Sequence, residues 1–159
     1  MLFPTQEKKR VVDAGELISR ASTVTPELVA TVAAQAGISL AATNVSAAAG
    51  RLRRHIEALA WTDAALTIME MALPQWRLVR LVLDDGEWCC ALSRHWQLPD
   101  WLDHAVEARH EMLPLAILSA VAEALVASRE AAAGHTRTGP EFRQQPSDVL
   151  DVLCCENFA

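Results

Sequence analysis

Residues 75–93, QWRLVRLVLDDGEWCCALS, decide the fold class. Two alternating apolar runs meet at Asp85-Gly86, inside a chain that is otherwise alanine-rich and patterned for helices. Asp-Gly between such runs is the strongest short-range hairpin signal, because a type I′ turn needs positive φ at both central residues and these residue types tolerate it. With Asp85-Gly86 as the turn, Leu83 pairs with Trp88, Leu81 with Cys90 and Val79 with Leu92 on one apolar face. Val82 with Cys89, Arg80 with Ala91 and Leu78 with Ser93 make the other face, which is mixed. An isolated hairpin is marginal in water, so helices must cover the apolar face. The expected architecture is α+β, mostly helical, with one central antiparallel hairpin at about 75–93 packed against helices.

Helical patterns flank the hairpin on both sides. Thr25-Pro26-Glu27 is a helix start: Thr accepts from orphan amides, Pro suits the first turn and Glu complements the positive helix end. Gly37 is a natural stop. From there Ile38, Ala42, Val45, Ala49, Leu52, Ile56 and Leu59 recur at spacings of four and three, a heptad stripe suited to packing inside the domain or to a dimer seam. Trp61-Thr62 starts another helix, with Leu66, Met69 and Leu73 toward the core, and Pro74 ends it. After the hairpin, Leu98-Pro99-Asp100-Trp101 opens a helix to about Glu111, and Pro114 opens the next, to about Ala132. Residues 1–60 read as an N-terminal arm and helical segment, 61–132 as an α-β-β-α-α core domain, and 133–159 as a loop and short C-terminal helix, together one compact unit.

The stretch LPQWRLVRLVLDDGEWCCALSRHWQLPDWLDHAVEARHEMLPLAILSAVAEAL resembles a small, functionally uncharacterised family of α-proteobacterial proteins. More distantly its LPxW strand, DGxW turn and strand, and LAILSA helix are similar to the phage-associated ABA-sandwich small domains, over residues 62–127. The resemblance implies an α+β fold and transfers no catalytic motif.

At 159 residues, 52% apolar and 21% charged, the composition is that of one globular domain. The net charge of −6 is uneven: residues 1–60 carry seven Lys or Arg against five Asp or Glu, and residues 61–159 seven against fifteen. An acidic body disfavours nucleic acid and anionic membranes. Gln6 to Arg10 interrupt any apolar leader, and Met112 to Ala127 is too short and too interrupted to span a bilayer. Four cysteines in adjacent pairs, Cys89-Cys90 and Cys154-Cys155, without an export signal read as reduced thiols, which places the chain in the cytoplasm.

Several constellations could carry chemistry. On the helix expected up to Glu111, Asp103, Glu107 and His110 share a stripe, and Glu107-x-x-His110 has the spacing by which di-iron bundles present two ligands from one helix. His104 is a further metal candidate, but no second Glu-x-x-His completes such a site, so neither a metal nor any cofactor is expected. Cys89 and Cys90 are neighbours on a strand, point to opposite faces and do not converge on one metal. Residues 27–46 resemble a helix-turn-helix through Ala33, Gly37, Ile38 and Ser39, with Asn44, Arg51, Arg53 and Arg54 as the DNA-facing candidates, although Thr43 stands where the second helix needs an apolar residue. Of five tryptophans, Trp88 reads as a core anchor, whereas Trp76, beside Arg80 and His95, is the candidate for an exposed binding surface. No phosphate-binding glycine loop, Gly-x-Ser-x-Gly elbow or His-Glu-x-x-His occurs.

The expected role is therefore a small non-enzymatic interaction or regulatory module. It acts as a homodimer, through Ile38, Val45, Leu52, Ile56 and Leu59 or through an open edge of the hairpin. A transcription-associated DNA-binding protein using residues 27–55 is the alternative, and a metal-dependent enzyme through Glu107 and His110 a further one.

Overall fold

The computed structural model describes residues 13–40, 46–95, 97 and 105–134. In chain order these form α1 (Ala14–Arg20), α2 (Pro26–Gln35), α3 (Ala47–Glu57), α4 (Trp61–Ala72), β1 (Arg77–Asp84), β2 (Glu87–Ser93), β3 (Val106–His110) and α5 (Leu113–Gly134). The fold is α+β, as its patterning implies: five helices among the described residues, and a three-stranded antiparallel sheet in the order β1-β2-β3 packed against α5.

The turn at Asp85-Gly86 is the one expected. Asp85 has φ 50° and Gly86 φ 86°, and Asp84 pairs with Glu87 beside them, which is type I′ geometry. From Leu83↔Trp88 to Arg80↔Ala91 the register also follows the alternation. It then shifts: Leu78, not Val79, lies opposite Leu92, and Arg77 lies opposite Ser93. Val79 is thus the extra residue of a β-bulge, and Leu78, expected on the mixed face, takes the core-facing position expected of Val79. The core face accordingly carries Leu78, Leu81, Cys90 and Leu92, with Trp88 half-buried. Leu83, at the hairpin tip, is exposed rather than covered.

The third strand corrects the helix expected up to Glu111. Val106, Ala108 and His110 turn inward while Glu107 and Arg109 turn outward, with Ala108 opposite Cys90 and Glu107 opposite Ala91. Ala, Glu and Arg are good helix formers, so local propensity favours the wrong element. The free edge of a buried β2 overrides it, because Cys89 to Ser93 are all buried and their backbone groups need partners.

α5 runs under the sheet and also packs against α4 and α1. Leu115, Ala116, Ile117, Leu118, Ala120 and Val121 are fully buried, so most of the circumference of its first half is enclosed by its neighbours, with Ser119 and Glu123 at the groove. α1 belongs to this core: Ala14 and Ile18 are buried against it, and the Asp13 side chain accepts from Gly15 N–H at its start. The segment read as an arm is thus packed from residue 13 onward. No helix among the described residues is long and apolar enough to cross a membrane.

The helix ends follow their residues. Thr25 Oγ1 accepts from Leu28 N–H at 3.2 Å with Pro26 in the first turn, and Ser46 Oγ accepts from Ala49 N–H at 3.2 Å. α2 closes in a Schellman motif: Gly37 at φ 76°, Gly37 N–H to Ala34 O at 3.0 Å and Ile38 N–H to Ala33 O at 2.8 Å. α3 repeats that motif with Leu59 in the glycine position. Leu59 sits at φ 56°, with Leu59 N–H to Ile56 O at 3.1 Å and Ala60 N–H to His55 O at 2.8 Å. A side chain in the left-handed region crowds its own backbone, and Leu59 is 62% exposed, so little burial repays the strain. Leu59→Gly should therefore stabilise the protein by about 0.5 to 1 kcal/mol in urea denaturation, whereas Leu59→Ala, which keeps the Cβ, should not.

Candidate functional site

The outer face of the sheet and the free edge of β1 are the surfaces on which side chains with interaction chemistry gather. Across the outer face, Arg80, Ala91 and Glu107 stand in one row and Val82, Cys89 and Arg109 in the next. Long side chains flank small ones. The Arg80 guanidinium donates to the Glu107 carboxylate over Ala91, and Arg109 Nη1 lies 3.6 Å from Asp84 Oδ2. These bridges join the two outer strands over β2 and help to bury Cys89 and Ala91. All four charged groups are about half exposed, so each bridge contributes little stability, about 0.2 to 1 kcal/mol. Their main effect is to order the face.

The edge of β1 is different. No strand among the described residues pairs with its outer side, and it carries three of the five exposed large apolar residues: Val79 (45%), Val82 (44%) and Leu83 (59%). An unpaired strand with apolar side chains is a template for another chain. The type I′ turn joins its end to β2, and the Trp76 side chain anchors its start.

That anchor corrects the expectation for Trp76. Its ring is 5% exposed within the core, its Nε1–H donates to Ser128 Oγ at 3.1 Å, and the Arg94 guanidinium lies 6.0 Å from the ring centre. Trp76 joins the sheet to the second half of α5 and presents no binding surface. Arg80 is on the outer face as described, while His95 is exposed beyond the end of β2, its N–H donating to Ser93 Oγ at 2.9 Å.

The heptad stripe does not form one helix. Ile38 is buried after the end of α2, Leu52 is fully buried on α3, Ile56 packs half-buried against the same core, and Leu59 lies in the left-handed turn. Val45 and Asn44 fall outside the described residues. Leu52 and Ile56 are thus committed within the chain. The helix-turn-helix spacing is also not met at residues 38–40, which follow the Schellman cap outside any helix, and residues 41–45 lie outside the described residues. Arg51 pairs with Glu70 at 3.5 Å, Arg53 donates to the Leu40 carbonyl, and Arg54 is exposed in the last turn.

Strand geometry also separates the metal candidates. Glu107 and His110 are three apart, an odd spacing, and so face opposite sides of β3. Met112 N–H donates to His110 Nδ1 at 3.0 Å, which leaves the ring proton on Nε2, and Nε2–H donates to the Ala21 carbonyl at 3.1 Å. Both ring nitrogens are therefore engaged, closing the loop after α1 onto the β3–α5 junction. Asp103 and His104 lie outside the described residues. Among those described, no three His, Cys, Asp or Glu side chains cluster to hold a metal. A groove of about 580 Å³ beside His110 is lined by Arg20 and Arg109 together with Glu87, Glu111 and Glu123, a mixture of signs.

Sequence reasoning missed β3, and with it the Arg80–Glu107 bridge. The alternation of Val106, Ala108 and His110 with Glu107 and Arg109 was the available signal.

Cys89 and Cys90 are free thiols on opposite faces, both buried. Burial, with the neighbouring Cys89 adding to it, pushes the Cys90 thiol from 9.0 up to about 11. Below pH 9 the thiol is protonated in both folded and unfolded chains, and as pH rises toward 11 the unfolded chain ionises first. Stability should therefore be full below pH 9 and fall between pH 9 and 11, by at most about 3 kcal/mol. Cys90→Ala should flatten that decline in chemical denaturation measured across the range.

Compared with known proteins, the chain matches no family model, no curated protein and no solved structure.

Proposed function

We propose that this chain is a small, non-enzymatic interaction module with a regulatory role, acting as a homodimer joined through β1. The observation that carries the reading is the edge of β1, unpaired among the described residues, with Val79, Val82 and Leu83 exposed on a strand fixed at one end by its turn and at the other by its tryptophan anchor. Of the two dimer routes, the α3 stripe has Leu52 and Ile56 committed to the chain's own core, which favours the sheet edge. Main-chain hydrogen bonds along an added strand supply affinity, and the exposed side chains supply selectivity. The module works in the cytoplasm, where the free thiols Cys89 and Cys90 stay reduced.

The test is sedimentation of the purified chain at micromolar concentration, which should find a dimer. A Val82→Lys, Leu83→Lys variant should sediment as a monomer, because a desolvated ammonium on an edge opposes strand pairing. Its stability should change by no more than about 0.5 kcal/mol when referred to the monomer, both positions being exposed. A wild-type monomer at these concentrations would remove the reading.

A further inference from the structure

We infer that two copies pair β1 to β1 across a twofold axis at Leu81, in a register set by the Val79 bulge, a proposal that rests on the homodimer reading above and specifies its contact. The cross-strand partners assign each residue of β1 to a face. Arg77, Arg80, Val82 and Asp84 share the outer face with Ser93, Ala91, Cys89 and Glu87, while Leu78, Leu81 and Leu83 share the inner face with Leu92, Cys90 and Trp88. A two-residue turn makes Asp84 and Glu87 a hydrogen-bonded pair, so Leu83 and Leu81, one and three residues further back, point their backbone N–H and C=O groups away from β2. The outward donors and acceptors of Leu81 are thus placed to meet those of a second Leu81.

Antiparallel partners must also present the same face. Around Leu81 this holds along β1, and the bulge changes which residues meet: counted through the extra residue, Arg77 and not Leu78 comes opposite Asp84. Arg80 comes opposite the second copy's Val82; then Leu78 and Val79 together oppose its Leu83, and Arg77 comes opposite its Asp84. In a regular strand Asp84 would oppose Leu78 on the same face, and Arg77 would fall opposite Asp85 in the turn. With the bulge, RLVRLVLD is complementary to itself: a base at one end, an acid at the other and apolar residues between. Exposed Val79 and Leu83 meet each other, and Val82 lies along the stem of Arg80.

Charge singles out this register. The Arg77 guanidinium contacts the Trp76 carbonyl and forms no ion pair among the described residues, while Arg80 is already bridged to Glu107. A twofold at Arg80 would set that residue against itself. One at Val82 would oppose Arg80 to Asp84 and leave Arg77 outside the contact. The twofold at Leu81 uses all of Arg77–Asp84 and forms the Arg77–Asp84 pair twice. The product is a continuous six-stranded antiparallel sheet with both α5 helices on one side.

Sedimentation equilibrium of the full chain at low ionic strength, with Arg77→Asp, Asp84→Arg and the double variant, tests the register. Each single reversal places like charges opposite each other at two symmetric points and should weaken the dimer roughly tenfold. The double variant should recover to within about threefold of wild type, and the differences should shrink in high salt. Asp84→Arg also loses the Arg109 contact, so its comparison with the double variant isolates the position 77 partner. A dimer indifferent to Arg77→Asp, or one the double variant does not restore while circular dichroism stays native, overturns the register and leaves the homodimer standing. A monomeric wild type overturns both.

Discussion

The described structure depends on the burial of β2. From Cys89 to Ser93 every residue of that strand is shielded from solvent, and a strand so placed needs hydrogen-bond partners along both edges. The hairpin satisfies one edge through a turn only four residues of chain can make, and β3 satisfies the other from a segment whose own preference is helical. α5 then covers the inner face, where Cys90 and Leu92 meet Leu115 to Val121. Each of these elements is incomplete alone: the hairpin is marginal, β3 has five residues, and the first half of α5 has apolar residues on most of its surface.

The two sides of β2 are closed by different means. On the inner side closure is hydrophobic and includes helices from both ends of the described chain, with His110 binding the loop after α1 to the start of α5. On the outer side, closure comes from long charged side chains reaching across a row of small ones, Arg80 to Glu107 over Ala91. The four charged side chains on this face are each about half exposed. Between the two, β1 contributes its inner residues to the core, and among the described residues no strand pairs with its far edge.

The bulge at Val79 links these roles. It moves Leu78 onto the core face, where Leu92 is its partner, and it turns Arg77 onto the outer face with Arg80 and Asp84. A regular strand would have placed Val79 inward and Arg77 beside the core. One inserted residue thus keeps the apolar side apolar and leaves a base and an acid at the two ends of the exposed edge. The Trp76 ring, seated against Ser128 immediately before the strand, holds this arrangement in place.

Where local chemistry is sufficient, the sequence alone determined the structure. Asp85-Gly86 specified its turn because few residue types tolerate two successive positive φ angles; Thr25-Pro26 began α2 and Gly37 ended it because capping geometry demands those groups. Pro114 marked the start of α5 for the same kind of reason. Tertiary structure alone decided whatever hinged on a distant partner. Val106–His110 became a strand because β2 offered an open edge, and this separated Glu107 from His110, which a helix would have aligned. Trp76 went inward because α5 offered Ser128, and Leu52 and Ile56 were absorbed by the core instead of forming a seam. The bulge, too, could not be read from an alternating pattern, since alternation is compatible with either register until the far end of the strand must meet a packed neighbour. Turns and caps are encoded within a few residues and are legible there, whereas strand pairing and burial are set by contacts between segments far apart in the chain.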